Sequence, residues 1–206
     1  MRFRNALLIA SLLLTAGDLP AQPTSSEPAK SPGDALKPSK MLVVYYSRTG
    51  TTKQAATELA AMLGADLEEI TDTKNRNGFF GYMGAGKDAS RKNTTIIGPL
   101  QKDPADYGLV VLATPVWAWT VTPAMRTYLI QTKGRIGKAA FLCTMGGSGD
   151  LKTFAAMEEL SGLKPEATVS FKTKEVKKSQ HTQRLRDFAD RLLKVPDIQP
   201  QTNEIP

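Results

Sequence analysis

Three uninterrupted apolar runs, Met41–Tyr46, Leu109–Ala113 and Ala139–Cys143, each lead through turn-forming residues into a segment with helical spacing. A strand that is apolar at every position has no polar face to offer water, so it must be covered on both sides. That requirement narrows the fold to an α/β architecture, a parallel sheet whose crossover helices pack on both faces. Ala55, Ala56, Leu59, Ala60 and Leu63 make one stripe of a helix over Thr51–Leu63. A second helix carries Pro123 in its first turn, where a missing N–H costs nothing, and a third runs from about Leu151 to Leu160. The last presents Leu185, Phe188, Ala189, Leu192 and Leu193 on one side. Two further strands, Ala65–Ile70 and Ala167–Thr173, alternate apolar with polar residues as edge strands do. Five strands with the second and fifth at the edges predict the doubly wound order 2-1-3-4-5. Its ligand crevice lies beyond the carboxyl ends of the first and third strands.

The flanking segments differ in composition. Residues 1–21 open with Arg2 and Arg4, continue through an apolar run from Ala6 to Ala16 and end in small residues, the pattern of a secretory signal peptide with cleavage after Ala21 or Gly17. This uncharged run of 11 residues is too short to cross a hydrocarbon core of about 30 Å, so no integral span is expected after processing. Phe3 separates the arginines and removes a twin-arginine pair, which points to general secretion of an unfolded chain and a periplasmic or secreted location. Residues 22–40, rich in proline and serine, read as a linker, and 196–206 as a flexible tail. The predicted folded unit is therefore 41–195, one ordinary domain of the 206-residue chain.

One cysteine and one histidine exclude a disulfide framework and a Cys/His metal centre, and no metal is assigned. Any chemistry then depends on a borrowed cofactor or on none. Cys143, inside an apolar strand, reads as a buried inert thiol, and His181 as an exposed histidine at the start of the last helix. The basic run Lys172–Lys178 reads as a solvated turn rather than a nucleic-acid surface, because aromatic residues do not interleave with it beyond Phe171. The net charge of +7 permits an anionic partner without naming one.

Three strand ends fall on one rim. After the first strand stands Ser47-Arg48-Thr49-Gly50-Thr51-Thr52, which aims backbone N–H groups, a helix N-terminus and the hydroxyls of Ser47, Thr49 and Thr52 at one place. This is a phosphate cradle without the lysine of a P-loop, and G-x-G-x-x-G is absent, so a phosphate monoester fits better than a dinucleotide. The bland alternative is a turn whose hydroxyls only cap the helix. After the third strand comes Thr114-Pro115-Val116-Trp117-Ala118-Trp119, and after the fourth Thr144-Met145-Gly146-Gly147-Ser148-Gly149-Asp150. The tryptophans offer flat faces to a planar ring and the glycines offer unobstructed N–H groups to its edge. Each also has a plain reading, as a core plug and as a flexible turn respectively. Asn77–Gly86, with Phe79, Phe80 and Tyr82, is either a short helix or lid at the site or an aromatic-anchored connection.

On these three loops the chain resembles the flavodoxin family over nearly all of Met41–Leu193. The resemblance implies FMN as cofactor, with Ser47, Arg48, Thr49, Gly50, Thr51 and Thr52 at its phosphate. It also implies Pro115, Val116, Trp117, Ala118, Trp119, Thr144, Met145, Gly146, Gly147, Gly149 and Asp150 around the isoalloxazine. The run from the fifth strand into the last helix looks like the family's short-chain form. No side chain is assigned a catalytic role, since the flavin carries the chemistry. The expected activity is electron transfer or FMN-dependent NAD(P)H:quinone-type oxidoreduction outside the cytoplasm. The redox partner is left unidentified, the expected candidates being NAD(P)H with a quinone, or an acidic or membrane-associated protein. The alternative is a non-catalytic module binding another phosphorylated ligand or a protein partner.

Overall fold

The computed structural model describes residues 40–74 and 86–196. The expected signal segment, nearly all of the linker and tail, and most of Asn77–Gly86 lie outside the described residues. Five strands, β1 (Met41–Tyr45), β2 (Asp66–Glu69), β3 (Leu109–Pro115), β4 (Ala139–Met145) and β5 (Thr168–Lys172), form one parallel sheet in the order β2-β1-β3-β4-β5. Helix α1 spans Thr51–Leu63, α2 Pro123–Gln131, α3 Asp150–Ser161, α4 Thr173–Lys177 and α5 Thr182–Leu192. Among the described residues no helix is long and apolar enough to cross a membrane.

The pleat divides each central strand between two cores. Val43, Val111 and Leu142 pack under α1 and α5, with Leu59, Leu185 and Phe188 opposite them. Val44, Leu112 and Phe141 face the other way, against Met125, Tyr128 and Met157 of α2 and α3. Burying one such side chain contributes about 1.5–3 kcal/mol, which is why three double-faced strands dictate the layering. Pro123 opens α2 behind Thr122, whose hydroxyl accepts from the Met125 N–H.

Four local expectations differ from the structure. His181 is fully buried, not exposed. Its ring meets Phe171 edge-on at 5.3 Å, and Nε2 lies 2.9 Å from Glu58 Oε2 on α1, although neither ring nitrogen has a well-aligned hydrogen bond within the protein. The basic run Lys172–Lys178 is no turn but contains α4, anchored through buried Val176. Leu193 follows the end of α5 and is exposed, off the apolar stripe. In β2 the residue buried most is Glu68, covered by the returning chain, whose Gln101 N–H donates to its carboxylate at 2.8 Å.

Candidate functional site

Beyond the carboxyl ends of β1, β3 and β4 opens a cleft of about 850 Å³. Its volume falls near the top of the range of roughly 300–1,000 Å³ typical of small-molecule sites. One wall is the turn after β1, where Ser47, Arg48, Thr49, Thr51 and Thr52 line the space. Gly50, at φ +87°, lets the chain reverse there without itself lining the cleft. The α1 N-terminus has no side-chain cap and no acidic residue in its first turn, so its leading N–H groups and positive dipole end carry no built-in counter-charge. The buried Thr51 hydroxyl has no partner in the protein. An orphaned donor beside an uncapped 13-residue helix is the arrangement that accepts an anion from outside the chain. Thr52, also buried, is engaged, its hydroxyl lying 2.7 Å from that of Thr144 at the end of β4.

A second wall is a two-residue hairpin. Trp117 and Thr120 exchange two backbone hydrogen bonds of 3.0 Å, and the residues between them, Ala118 at φ +47° and Trp119 at φ +59°, both lie in the left-handed region. Such a turn normally takes Asn-Gly or Asp-Gly, and for ordinary residues costs about 1–2 kcal/mol each. The turn places Trp119 at the tip, 62% exposed, while Trp117 packs edge-on against Tyr46 at 5.6 Å. The Arg48 guanidinium, placed by resemblance at a phosphate, lies 6.0 Å from the Trp117 ring centre, bridging turn and hairpin.

The β4 loop closes the site with Thr144, Met145, Gly146, Gly147 and Ser148. Gly149 does not line the cleft. A Cβ there would stand 2.8 Å from Val116 Cγ1 and 3.0 Å from Trp119 Cα, so its lack of a side chain is what lets the two loops touch. Asp150 is likewise outside the lining, its carboxylate accepting from Ser170 Oγ at 2.8 Å. Pro115, Val116 and Ala118 do border the cleft. Cys143 is buried in β4, its thiol pushed well above the usual range by burial and by the nearby Asp150 charge.

The strand-end reading missed Lys87, Ser90 and Thr173, and it left Ser148 out of the site although naming its loop; all four line the cleft together with Gly86. Gly86, Lys87 and Ser90 belong to a helical segment over 86–90, and Thr173 opens α4, tied to the Met145 carbonyl by its hydroxyl at 3.1 Å. The Gly86 end of the aromatic segment was the available signal for the first group.

A family model described as flavodoxin matches residues 40–192. No curated protein matches the sequence. Among solved structures, a flavoprotein in complex with FMN from Lactobacillus acidophilus is 24% identical, with a TM-score of 0.58 and 68% of this chain and 97% of that chain covered. Flavoproteins from Bacteroides eggerthii and Bacteroides uniformis are each 21% identical over 70% of this chain. They are covered to 97% and 99% of their own lengths, with TM-scores of 0.55 and 0.54. The chain belongs to the flavodoxin family.

Proposed function

We propose that this flavodoxin-family chain binds FMN in the cleft and works in redox chemistry outside the cytoplasm. The observation that carries the reading is the meeting of two features at one cleft: the uncapped α1 N-terminus with its orphaned Thr51 hydroxyl, and the strained tryptophan hairpin. The first suits a phosphate monoester and the second a flat ring, and the solved relative from Lactobacillus acidophilus holds FMN. Thr51, the first N–H groups of α1 and the hydroxyls of Ser47 and Thr49 would hold the phosphate. Trp117 and Trp119 would border the ring, with the open backbone of Gly146 and Gly147 at its edge. Bound FMN supplies a ring that takes up and gives back electrons or a hydride.

The surroundings favour an oxidoreductase over a low-potential carrier. No carboxylate lines the cleft among the described residues, whereas Arg48 and Lys87 do. Nearby negative charge would oppose reduction of the ring, and its absence makes the bound flavin easier to reduce. The proposed overall reaction takes NAD(P)H, a quinone and a proton to NAD(P)⁺ and a quinol. Export rests on Arg2, Arg4 and the apolar run of residues 6–16, and with an unfolded precursor FMN is acquired after translocation.

Flavin absorbance of the purified chain and an FMN titration test the cofactor. A steady-state assay with NADH or NADPH and a soluble quinone, beside a redox titration, tests the activity. No turnover together with a strongly negative potential leaves a carrier for an acidic or membrane-associated protein. No FMN uptake leaves a non-catalytic module.

A further inference from the structure

The charged groups around the cleft are sorted by sign. Arg48 lines the cleft from the turn after β1, with its guanidinium 6.0 Å from the Trp117 ring centre on the hairpin. Exposed Lys87 enters from the segment over 86–90. The acidic residues closest in sequence to lining residues are all turned to other work. Asp88 pairs with Lys74 at 2.8 Å, Asp150 accepts from Ser170, and Glu175 accepts from the Lys172 N–H at 2.7 Å and pairs with Arg184 at 3.3 Å. At the same cleft Trp119 is 62% exposed, with its backbone resting on Gly149. A cleft of about 850 Å³ has room for more than one planar molecule.

Resting on the FMN reading, we propose that the cleft mouth selects a flat aromatic anion as the flavin's second substrate. The ring lies against Trp119, and a carboxylate, sulfonate or phosphate substituent is held by Arg48 and Lys87. Uncharged quinones lack the group these cations recognise, and a flat cation is repelled by both. Lys87 is the specificity-determining residue here, because it lies on neither the phosphate turn nor the hairpin.

The test is equilibrium dialysis of the FMN-loaded protein against naphthoquinone sulfonate and unsubstituted naphthoquinone, at low and at raised salt. The sulfonate is expected to bind about tenfold more tightly at low salt, with the preference shrinking as salt screens the cations. Lys87→Gln is expected to weaken sulfonate binding about three- to fivefold, the effect of one exposed cation, and to narrow the gap between the two quinones. FMN affinity of the variant is measured in parallel by flavin fluorescence. Equal affinities for the two quinones on a protein that holds FMN overturn this proposal alone. A Lys87→Gln variant that loses FMN affinity and keeps the quinone preference assigns Lys87 to the cofactor and also overturns it. A chain that takes up no FMN removes both readings.

Discussion

The hydroxyls of Thr52 and Thr144 lie 2.7 Å apart and are buried, joining the first turn of α1 to the carboxyl end of β4. The bond ties the anion-facing turn to the strand whose loop borders the proposed ring site. Thr52→Val or Thr144→Val leaves the remaining hydroxyl buried without a partner, which costs about 1–3 kcal/mol each. The double variant removes both polar groups and is expected to cost less than the sum. A double-mutant cycle by urea denaturation of the FMN-free chain measures this, and additive losses would show that the two groups do not act as a pair.

Thr51 makes the opposite prediction for stability and for binding. Its buried hydroxyl has no internal partner, so Thr51→Val is expected to leave the FMN-free protein as stable as before or slightly more so. FMN affinity should fall roughly ten- to hundredfold, the effect of losing a hydrogen bond to a charged group worth about 1.5–3 kcal/mol. Denaturation and FMN titration on the same preparation check the pair of outcomes. A stability loss with unchanged affinity would place the anion elsewhere.

Gly149 and Gly50 both sit at positive φ but differ in surroundings. Gly50 has open space where a Cβ would go, so Gly50→Ala is expected to cost only the backbone strain of about 1–2 kcal/mol. Gly149→Ala adds a collision with Val116 and Trp119 and is expected to cost more, displacing the hairpin. Both tryptophans of the chain lie on that hairpin, so a shift in intrinsic fluorescence for Gly149→Ala and not for Gly50→Ala is the diagnostic result.

Alkaline stability should depend on Tyr45. Burial, and then its hydrogen bond to Glu69 at 2.7 Å, push the phenol up from 10.0 to about 12. The folded state therefore keeps a proton that the unfolded chain releases first. This contribution is complete below pH 10 and is lost as the pH rises toward 12. Chemical denaturation across that window should show falling stability for the native chain and a shallower fall for Tyr45→Phe. Equal slopes would mean that other groups dominate.

The sequence was most legible where short-range pattern carries the physics. β1, β3 and β4 were readable because a run such as Leu109–Ala113 has no residue that tolerates water, and α1 because Ala55, Leu59 and Leu63 recur at the helical period. The turn 47–52 was readable because glycine, hydroxyls and a strand-to-helix junction occur within six consecutive positions. The hairpin was not, since Ala-Trp carries none of the chemistry that ordinarily permits two left-handed residues. Its conformation is imposed by packing on Gly149, thirty residues further along the chain.

Local periodicity thus specified which face of each element is apolar, and with it the layers, the strand order and the rim on which a ligand cleft would open. It could not say which distant segment covers a given face. Glu58 and Phe171 meet His181 only because α1, α5 and β5 converge on one side of the sheet. Lys87 reaches the cleft only because the chain between β2 and β3 returns across the strand ends. The reach of Arg48 toward Trp117 likewise depends on two strand ends lying side by side. Such contacts join residues far apart in sequence, where no repeat or spacing records the pairing, so the charge and shape of the cleft were decided by the tertiary structure.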